Sequence, residues 1–504
     1  MAESSHPELM RLANSVLQPG FVGTTAPDWV LRRISEGLRS VVLFGRNIQS
    51  PEQVAALTAS LRAENPDLII AIDEEAGDVT RLEARTGASR PGNLALGSID
   101  DIDLTEQVAR DIGRELRAVG VSLNYAPSAD VNSNPMNPVI GVRSFGARTD
   151  VVSRHTSAWI RGLQSAGVAA CAKHFPGHGD TSVDSHHGLP QVSADADVIG
   201  RIALPPFVAA MDAGVRTIMT AHMLIPAYDE SLPATLSHRI INDLLRGDLG
   251  FTGLVVTDGI EMGAVSDRYG ITGATVMAVA GGVDAVCVGG ESAEEATTVE
   301  LTDALVQAVL DGTLPEERLA EASARVEEFA AWSGDLARSA APDDDASGIG
   351  MVAARRAVRV HRKADTGTEF PLVGAPHVVE LSPTTNLAID GSTPWGVADP
   401  LKALRPGTTS VRLRESELAD TEDLLDRLAL APADGRALVV VVRDAARYRW
   451  MAQALAGLVR RRPDALVVEM GVPADDRPGA VYLATHGATR VSGIAAAEVL
   501  VGAS

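Results

Sequence analysis

Short, continuous apolar runs recur along the first two-thirds of the chain, separated by longer stretches of helical character. They are Ser40–Phe44, Leu68–Ile72, Val121–Tyr125, Val168–Ala172, Val215–Met219, Leu254–Thr257 and Val283–Cys287. A strand with one face in water alternates apolar and polar residues. A run that is apolar throughout is covered on both faces, as parallel strands packed beneath helices are. Their number and spacing predict an α/β fold, a (β/α)8 TIM-type barrel over roughly residues 8–335.

A second pattern follows. Ala341 to Ser347 is rich in turn-forming and acidic residues and predicts a linker, with a helical stretch behind it. Beyond it, His377–Leu381, Ala437–Val442, Ala465–Val468 and Ala480–Leu483 read as strands, with helical runs near Tyr448–Leu458 and Ile494–Val501. This predicts a smaller, open α/β sandwich. The expected division is a barrel over 1–340, linker and helix over 341–375, and the sandwich over 376–504. No internal repeat or low-complexity tract interrupts it.

Nearly every run in the first part ends in polar residues. Phe44 leads to Arg46 and Asn47, Ile72 to Asp73-Glu74-Glu75, and Tyr125 towards Asp130 and Asn132. Ala172 leads to Lys173-His174, Met219 to Thr220-Ala221-His222, and Thr257 to Asp258. In a barrel the C-terminal strand ends converge on one mouth, so these groups predict an enzyme site.

Composition narrows the classes. Of 504 residues only 4% are aromatic, so the core must be built from Ala, Val and Leu. The net charge of −22 opposes nucleic-acid binding, which needs a basic footprint. Cys171 and Cys287 both lie in apolar runs and read as small buried hydrophobes. No stretch reaches a membrane-spanning length, and the first residues lack a basic, apolar leader pattern, so the expectation is a cytoplasmic protein with no membrane partner.

The densest chemistry lies in Lys173-His174-Phe175-Pro176-Gly177-His178-Gly179-Asp180-Thr181-Ser182-Val183-Asp184-Ser185-His186-His187. Histidine titrates near neutrality, so this loop is suited to acid–base work. In Asp184-x-His186 a carboxylate can hold one imidazole tautomer and raise its basicity; equally, the two can simply brace the loop. Asp258 can act as a nucleophile or electrostatic partner at a strand end, or as the N-cap of the helix after it. Asp73, Glu74 and Glu75 could be acids, hydroxyl acceptors or metal ligands. A metal held by Asp73, His174, His178 and His222 is disfavoured, since neither HExxH nor CxxC occurs; neither metal nor cofactor is expected. Lys173, Arg81 and Arg143 beside these acids fit surface salt bridges or an oxygen-rich ligand.

These stretches together resemble glycoside hydrolase family 3, and within it the β-N-acetylglucosaminidase branch that acts on muropeptides. The resemblance is carried by the Lys173–His186 stretch and by Asn134-Pro135-x-Asn137-Pro138-Val139-Ile140-Gly141-x-Arg143-Ser144-Phe145-Gly146. Met219-Thr220-Ala221-His222 and Gly250-Phe251-x-Gly253-Leu254-Val255-Val256-Thr257-Asp258 add to it. It covers about the first 335 residues. It implies Asp258 as nucleophile, His186 as general acid/base and Asp184 as its partner. It also implies that Asp73, Arg81, Arg143, Lys173 and His174 hold the hydroxyls of the terminal sugar. The small-molecule partner implied is an N-acetylglucosamine-containing glycoside or muropeptide.

The implied reaction is retaining hydrolysis through a covalent glycosyl-enzyme. A phosphorylase or a broad β-glucosidase is an alternative within the family, and a non-catalytic sugar sensor is an alternative of another class. Two departures from the family pattern stand out. After the second run the family usually reads Asp-x-Glu-Gly-Gly-Arg-Val-x-Arg, whereas here Ala76 replaces a Gly and Asp78 the first Arg. Gly259 stands where an acid is common.

Overall fold

The computed structural model describes residues 6–186, 188–341, 348–364, 366–384, 388–419 and 423–503. It divides into two compact units that are not contiguous in sequence. The first comprises residues 1–75, 105–140 and 147–346; the second comprises 76–104, 141–146 and 347–504. The expected linker lies, past Ala341, outside the described residues, as does His187 of the titratable loop.

The first unit is a curled, barrel-like parallel sheet. Its strands are β1 (Leu17–Pro19), β2 (Ser40–Leu43), β3 (Ile69–Ile72), β4 (Leu123–Asn124), β5 (Ala169–Phe175), β6 (Thr217–Thr220), β7 (Leu254–Thr257) and β8 (Val286–Val288). Strands β2 to β7 pair in sequence order, all parallel, and β1 pairs with β8. A bridge from Val256 to Ala285 carries the sheet from β7 towards β8, and Ser40 Oγ donates to the Leu17 carbonyl between β2 and β1.

Every residue of β2, β3, β6 and β7 is buried, the two-sided burial that the apolar runs of β2, β3 and β7 imply; β6 is equally buried with a threonine at each end. Val42, Ala71, Leu123, Cys171, Met219, Val256 and Cys287 share one core cluster with Tyr125. Both cysteines are buried free thiols. The helices between strands start where the chain supplies caps. Ser50 accepts from Gln53 N ahead of Pro51–Glu64, and Gly282, at φ 118°, closes Gly263–Gly281. Among the described residues no helix is long and apolar enough to cross a membrane.

Strand boundaries shift where polar residues intervene. The run Val283–Cys287 contains Asp284, which is fully buried and forms ion pairs with Arg246 (2.5 Å), Arg318 (2.8 Å) and Arg325 (3.0 Å) ahead of β8. Strand β1 was not among the sequence runs because it is three residues long and holds Gln18 and Pro19.

The second unit is a mixed sheet in the order β11-β10-β12-β13-β14-β9. Its strands are β9 (Arg359–Arg362), β10 (His377–Leu381), β11 (Thr409–Leu413), β12 (Leu438–Val442), β13 (Leu466–Glu469) and β14 (Val481–Ala484). Only β9 runs antiparallel. The apolar clusters on the two faces separate alternate residues of β12: Val440 and Val442 lie in one, Val439 and Val441 in the other. The four central strands match the sequence runs. The edge strands β9 and β11 do not, because they are largely exposed and carry no apolar pattern.

Candidate active site

Polar side chains of the first unit gather beyond the C-terminal ends of β3, β5, β6 and β7. Lys173 on β5 is the hub. Its side chain is only 2% exposed, and Nζ meets Asp73 Oδ1 at 2.6 Å and Glu75 Oε1 at 2.7 Å. A buried ammonium needs such pairing, since an unpaired charge out of water is costly. Sequence reasoning placed Asp73 and Lys173 together and left the role of Glu75 open.

His174, the next residue, is fixed through Asp130. Asp130 Oδ2 accepts from His174 Nδ1 (2.7 Å) and Ser128 Oγ (2.9 Å), while Oδ1 accepts from the backbone N–H groups of His174 (3.3 Å) and His178 (2.6 Å). Burial pushes the Asp130 carboxyl up, but His174 and these hydrogen bonds outweigh it and hold it below its ordinary value. No site role was given to Asp130 from the sequence. The available signal was an acid set between Ala129 and Val131, where burial demands partners.

The titratable loop is built on His178, Thr181 and two asparagines. His178 Nδ1 lies 2.7 Å from Thr181 Oγ1 and Nε2 lies 3.3 Å from Ser185 Oγ. Asn137 Nδ2 donates to the His178 carbonyl at 2.8 Å, and Asn134 Nδ2 to that of Thr181 at 3.0 Å. A side chain at Gly179 would put its Cβ 1.7 Å from the Val131 carbonyl oxygen, so the loop requires glycine there. Burial, aided by His174, lowers the His178 pKa to about 4. His178 is therefore a neutral hydrogen-bonding strut at neutral pH. At the loop's far end, His186 Nδ1 lies 2.7 Å from Asp184 Oδ1.

Asp258 follows β7 and is only partly buried. It does not cap the helix: Gly263–Gly281 begins five residues later, with Met262 at the N-cap position. Its Oδ1 accepts from Gly259 N at 2.8 Å, and His222 Nε2 donates to the Gly259 carbonyl at 2.9 Å, bracing the turn from both sides. Desolvation raises the Asp258 carboxyl, but the imidazoles of His174, His222 and His186 more than compensate and hold it well below the carboxylate range. An ionised carboxylate ringed by imidazoles can attack an electrophilic carbon or stabilise developing positive charge.

Glu261 escaped sequence reasoning. Its Oε1 accepts from the backbone N–H groups of Gly289 (3.0 Å), Gly290 and Glu291 (3.3 Å). Arg46 donates to the carbonyls of Gly289, Gly290 and Phe21. The turn after β8 is thus held through its amides by an acid and through its carbonyls by a base. Arg81 and Arg143 both belong to the second unit. There Arg81 Nη1 donates to the Ala388 carbonyl (3.0 Å), and the carbonyl of buried Arg143 accepts from Asn93 Nδ2 (2.7 Å). Among the described residues no group of three or more His, Cys, Asp or Glu is placed to hold a metal ion.

Comparison with known proteins gives the family. The family model for the glycosyl hydrolase family 3 N terminal domain matches residues 31–329. The Beta-hexosaminidase A of Pseudoalteromonas piscicida is 40% identical over 284 residues, 52% of this chain and 47% of that protein. The chain therefore spans about half the length of this relative. The Beta-hexosaminidase of Chromobacterium violaceum is 35% identical over 347 residues, 67% of this chain and 91% of the relative. Among solved structures, a glycoside hydrolase family 3 beta-N-acetylglucosaminidase from Paenibacillus sp. str. FPU-7 has a TM-score of 0.85 at 33% identity, covering 98% of this chain and 97% of that one.

Proposed function

Because the chain belongs to glycosyl hydrolase family 3, we propose that it is a retaining exo-β-N-acetylglucosaminidase that removes terminal N-acetylglucosamine from cell-wall-derived glycosides. The observation that carries this reading is the His186 imidazole, held by Asp184 at 2.7 Å in the same unit as Asp258, whose carboxyl the neighbouring imidazoles, His186 among them, hold below its ordinary value. Beta-hexosaminidase relatives and the Paenibacillus enzyme support the choice of sugar. The two buried, unpaired thiols fit a reducing compartment, and we place the reaction in the cytoplasm.

In this mechanism Asp184 holds the His186 ring through Nδ1 and stabilises the imidazolium. His186 gives its Nε2 proton to the glycosidic oxygen while Asp258 attacks the anomeric carbon, and a covalent glycosyl-enzyme forms. Neutral His186 then takes a proton from water, which opens the ester and releases the sugar with retained configuration. Lys173, held by Asp73 and Glu75, presents a fixed donor to the sugar hydroxyls, and His174, held by Asp130 through Nδ1, presents Nε2 as a fixed acceptor. Asp73 completes the sugar contacts drawn from the first unit; Arg81 and Arg143, which the family resemblance adds to the set, belong to the second unit.

One feature favours a second acceptor. An imidazole in the acid/base role puts one negative charge fewer beside the incoming acceptor than a carboxylate would, so phosphorolysis is the competing reading. Turnover of the p-nitrophenyl β-N-acetylglucosaminide and β-glucoside, with and without phosphate, decides. Fast release from the glucosaminide alone, abolished in Asp258→Ala, supports hydrolysis; a sugar 1-phosphate product moves the reading to phosphorolysis. Binding of N-acetylglucosamine with no turnover of either substrate would leave a sensor.

A further inference from the structure

Asp78, the residue that departs from the family pattern after β3, is almost wholly buried in the second unit. Its side chain is 1% exposed and that of Arg443 is 6% exposed. Asp78 Oδ2 accepts from Arg443 Nη2 at 2.5 Å, and Oδ1 accepts from the backbone N–H of Ala488 at 2.8 Å. Arg443 follows β12 directly and Ala488 lies just beyond β14. The Trp395 ring stands 5.8 Å from the Arg443 guanidinium carbon and 4.8 Å from that of Arg412, which is itself paired with Glu380 at 2.6 Å.

The sheet explains why these groups meet. From β10 the chain moves to β11 at one edge; from β12 it moves through β13 to β14 in the other direction. Strand order therefore reverses between β10 and β12. Open α/β sheets take ligands in the crevice beyond the carboxyl ends of their strands at such a reversal. Here that crevice offers a buried guanidinium, a backbone amide and an indole face, which is the chemistry of a carboxylate receptor.

We propose that this crevice is a carboxylate-binding site whose ligand is built in. Asp78 fills it, and its occupancy fixes the segment 76–104, including Arg81 three residues further on.

The test is Asp78→Ala in the full chain, with formate as the probe and chloride at equal ionic strength as the control. The thermal midpoint is expected to fall and then to recover saturably with formate but not with chloride, while wild type responds to neither. An unchanged midpoint, or recovery no better than with chloride, overturns the proposal. Should Asp78→Ala not fold, Asp78→Asn keeps an acceptor for Ala488 N and removes only the charge. A wild-type midpoint in that variant overturns the proposal equally.

Discussion

One oxygen of Asp184 holds His186 twice: Oδ1 accepts from the His186 backbone N–H at 3.0 Å and lies 2.7 Å from its Nδ1. The two-residue spacing closes a tight local ring, so the imidazole cannot turn without losing its carboxylate. Replacing the charge while keeping the shape isolates the electrostatic part. Asp184→Asn is expected to lower kcat by about 10²–10⁴-fold with its circular dichroism unchanged. His186→Ala is expected to lose far more on a poor leaving group than on a dinitrophenyl glycoside, which departs without a proton. Equal losses on both leaving groups would remove His186 from the acid role.

Asp130 sets the tautomer of His174. With carboxylate Oδ2 at Nδ1, the ring carries its proton on Nδ1. In Asp130→Asn, the carbonyl oxygen can satisfy the two backbone N–H groups, and the amide then faces Nδ1 as a donor and reverses the tautomer. KM is expected to rise by roughly tenfold or more because the ring then meets the sugar with the opposite hydrogen-bonding sense, while Asp258-dependent burst formation persists. The imidazole ¹⁵N shifts of His174 report the tautomer directly; an unchanged pattern would contradict the assignment.

His178 makes the protein acid-sensitive. Its folded-state pKa of about 4 lies below the ordinary 6.5 because of burial. Between those values the unfolded chain binds more protons than the folded one. The stabilisation is therefore complete above about pH 6.5 and is lost as the pH falls towards 4. The loss is on the order of 3 kcal/mol at about 1.4 kcal/mol per unit. Urea titrations from pH 7 to 4 are expected to show this slope, flattened in His178→Asn. A variant as steep as wild type would shift the cause elsewhere.

The loop after β3 contains a local compromise. Ala76 has φ 59° and Gly77 φ 75°. A left-handed conformation costs a non-glycine residue about 1–2 kcal/mol, partly offset by the lower unfolded-state entropy of alanine. Ala76→Gly is expected to raise stability by roughly 0.5–1 kcal/mol. Gly77→Ala is expected to lose on the order of 2–4 kcal/mol, because its Cβ would sit 2.4 Å from Gly92 Cα in addition to the unfavourable φ. Paired denaturation curves test both; a neutral Gly77→Ala would mean the loop relaxes freely.

The sequence by itself determined the strands that are covered on both faces. Desolvation demands apolar runs there, and such runs are visible one residue at a time: β2, β3, β7 and β12 fall within one residue of their runs, whereas β6, Thr217–Thr220, is offset from Val215–Met219 because that run holds Arg216. It also marked the chemistry-bearing ends of those strands, Asp73, Lys173, His174 and Asp258. It could not show β9 and β11, whose residues are mostly in water and so carry no pattern. Nor could it exclude a cap role for Asp258, since only the position of the helix start at Gly263 does so.

Tertiary structure alone decided the partners. Glu75 on Lys173, Asp130 on His174, and Asp78 on Arg443 are contacts across 98, 44 and 365 residues of chain. The assignment of 76–104 and 141–146 to the second unit has the same origin. The physical reason is common to all of them. A buried charge must find a counter-charge or a hydrogen-bond donor wherever the fold brings one, and that demand leaves a trace in the sequence only at the residue itself, not at its partner.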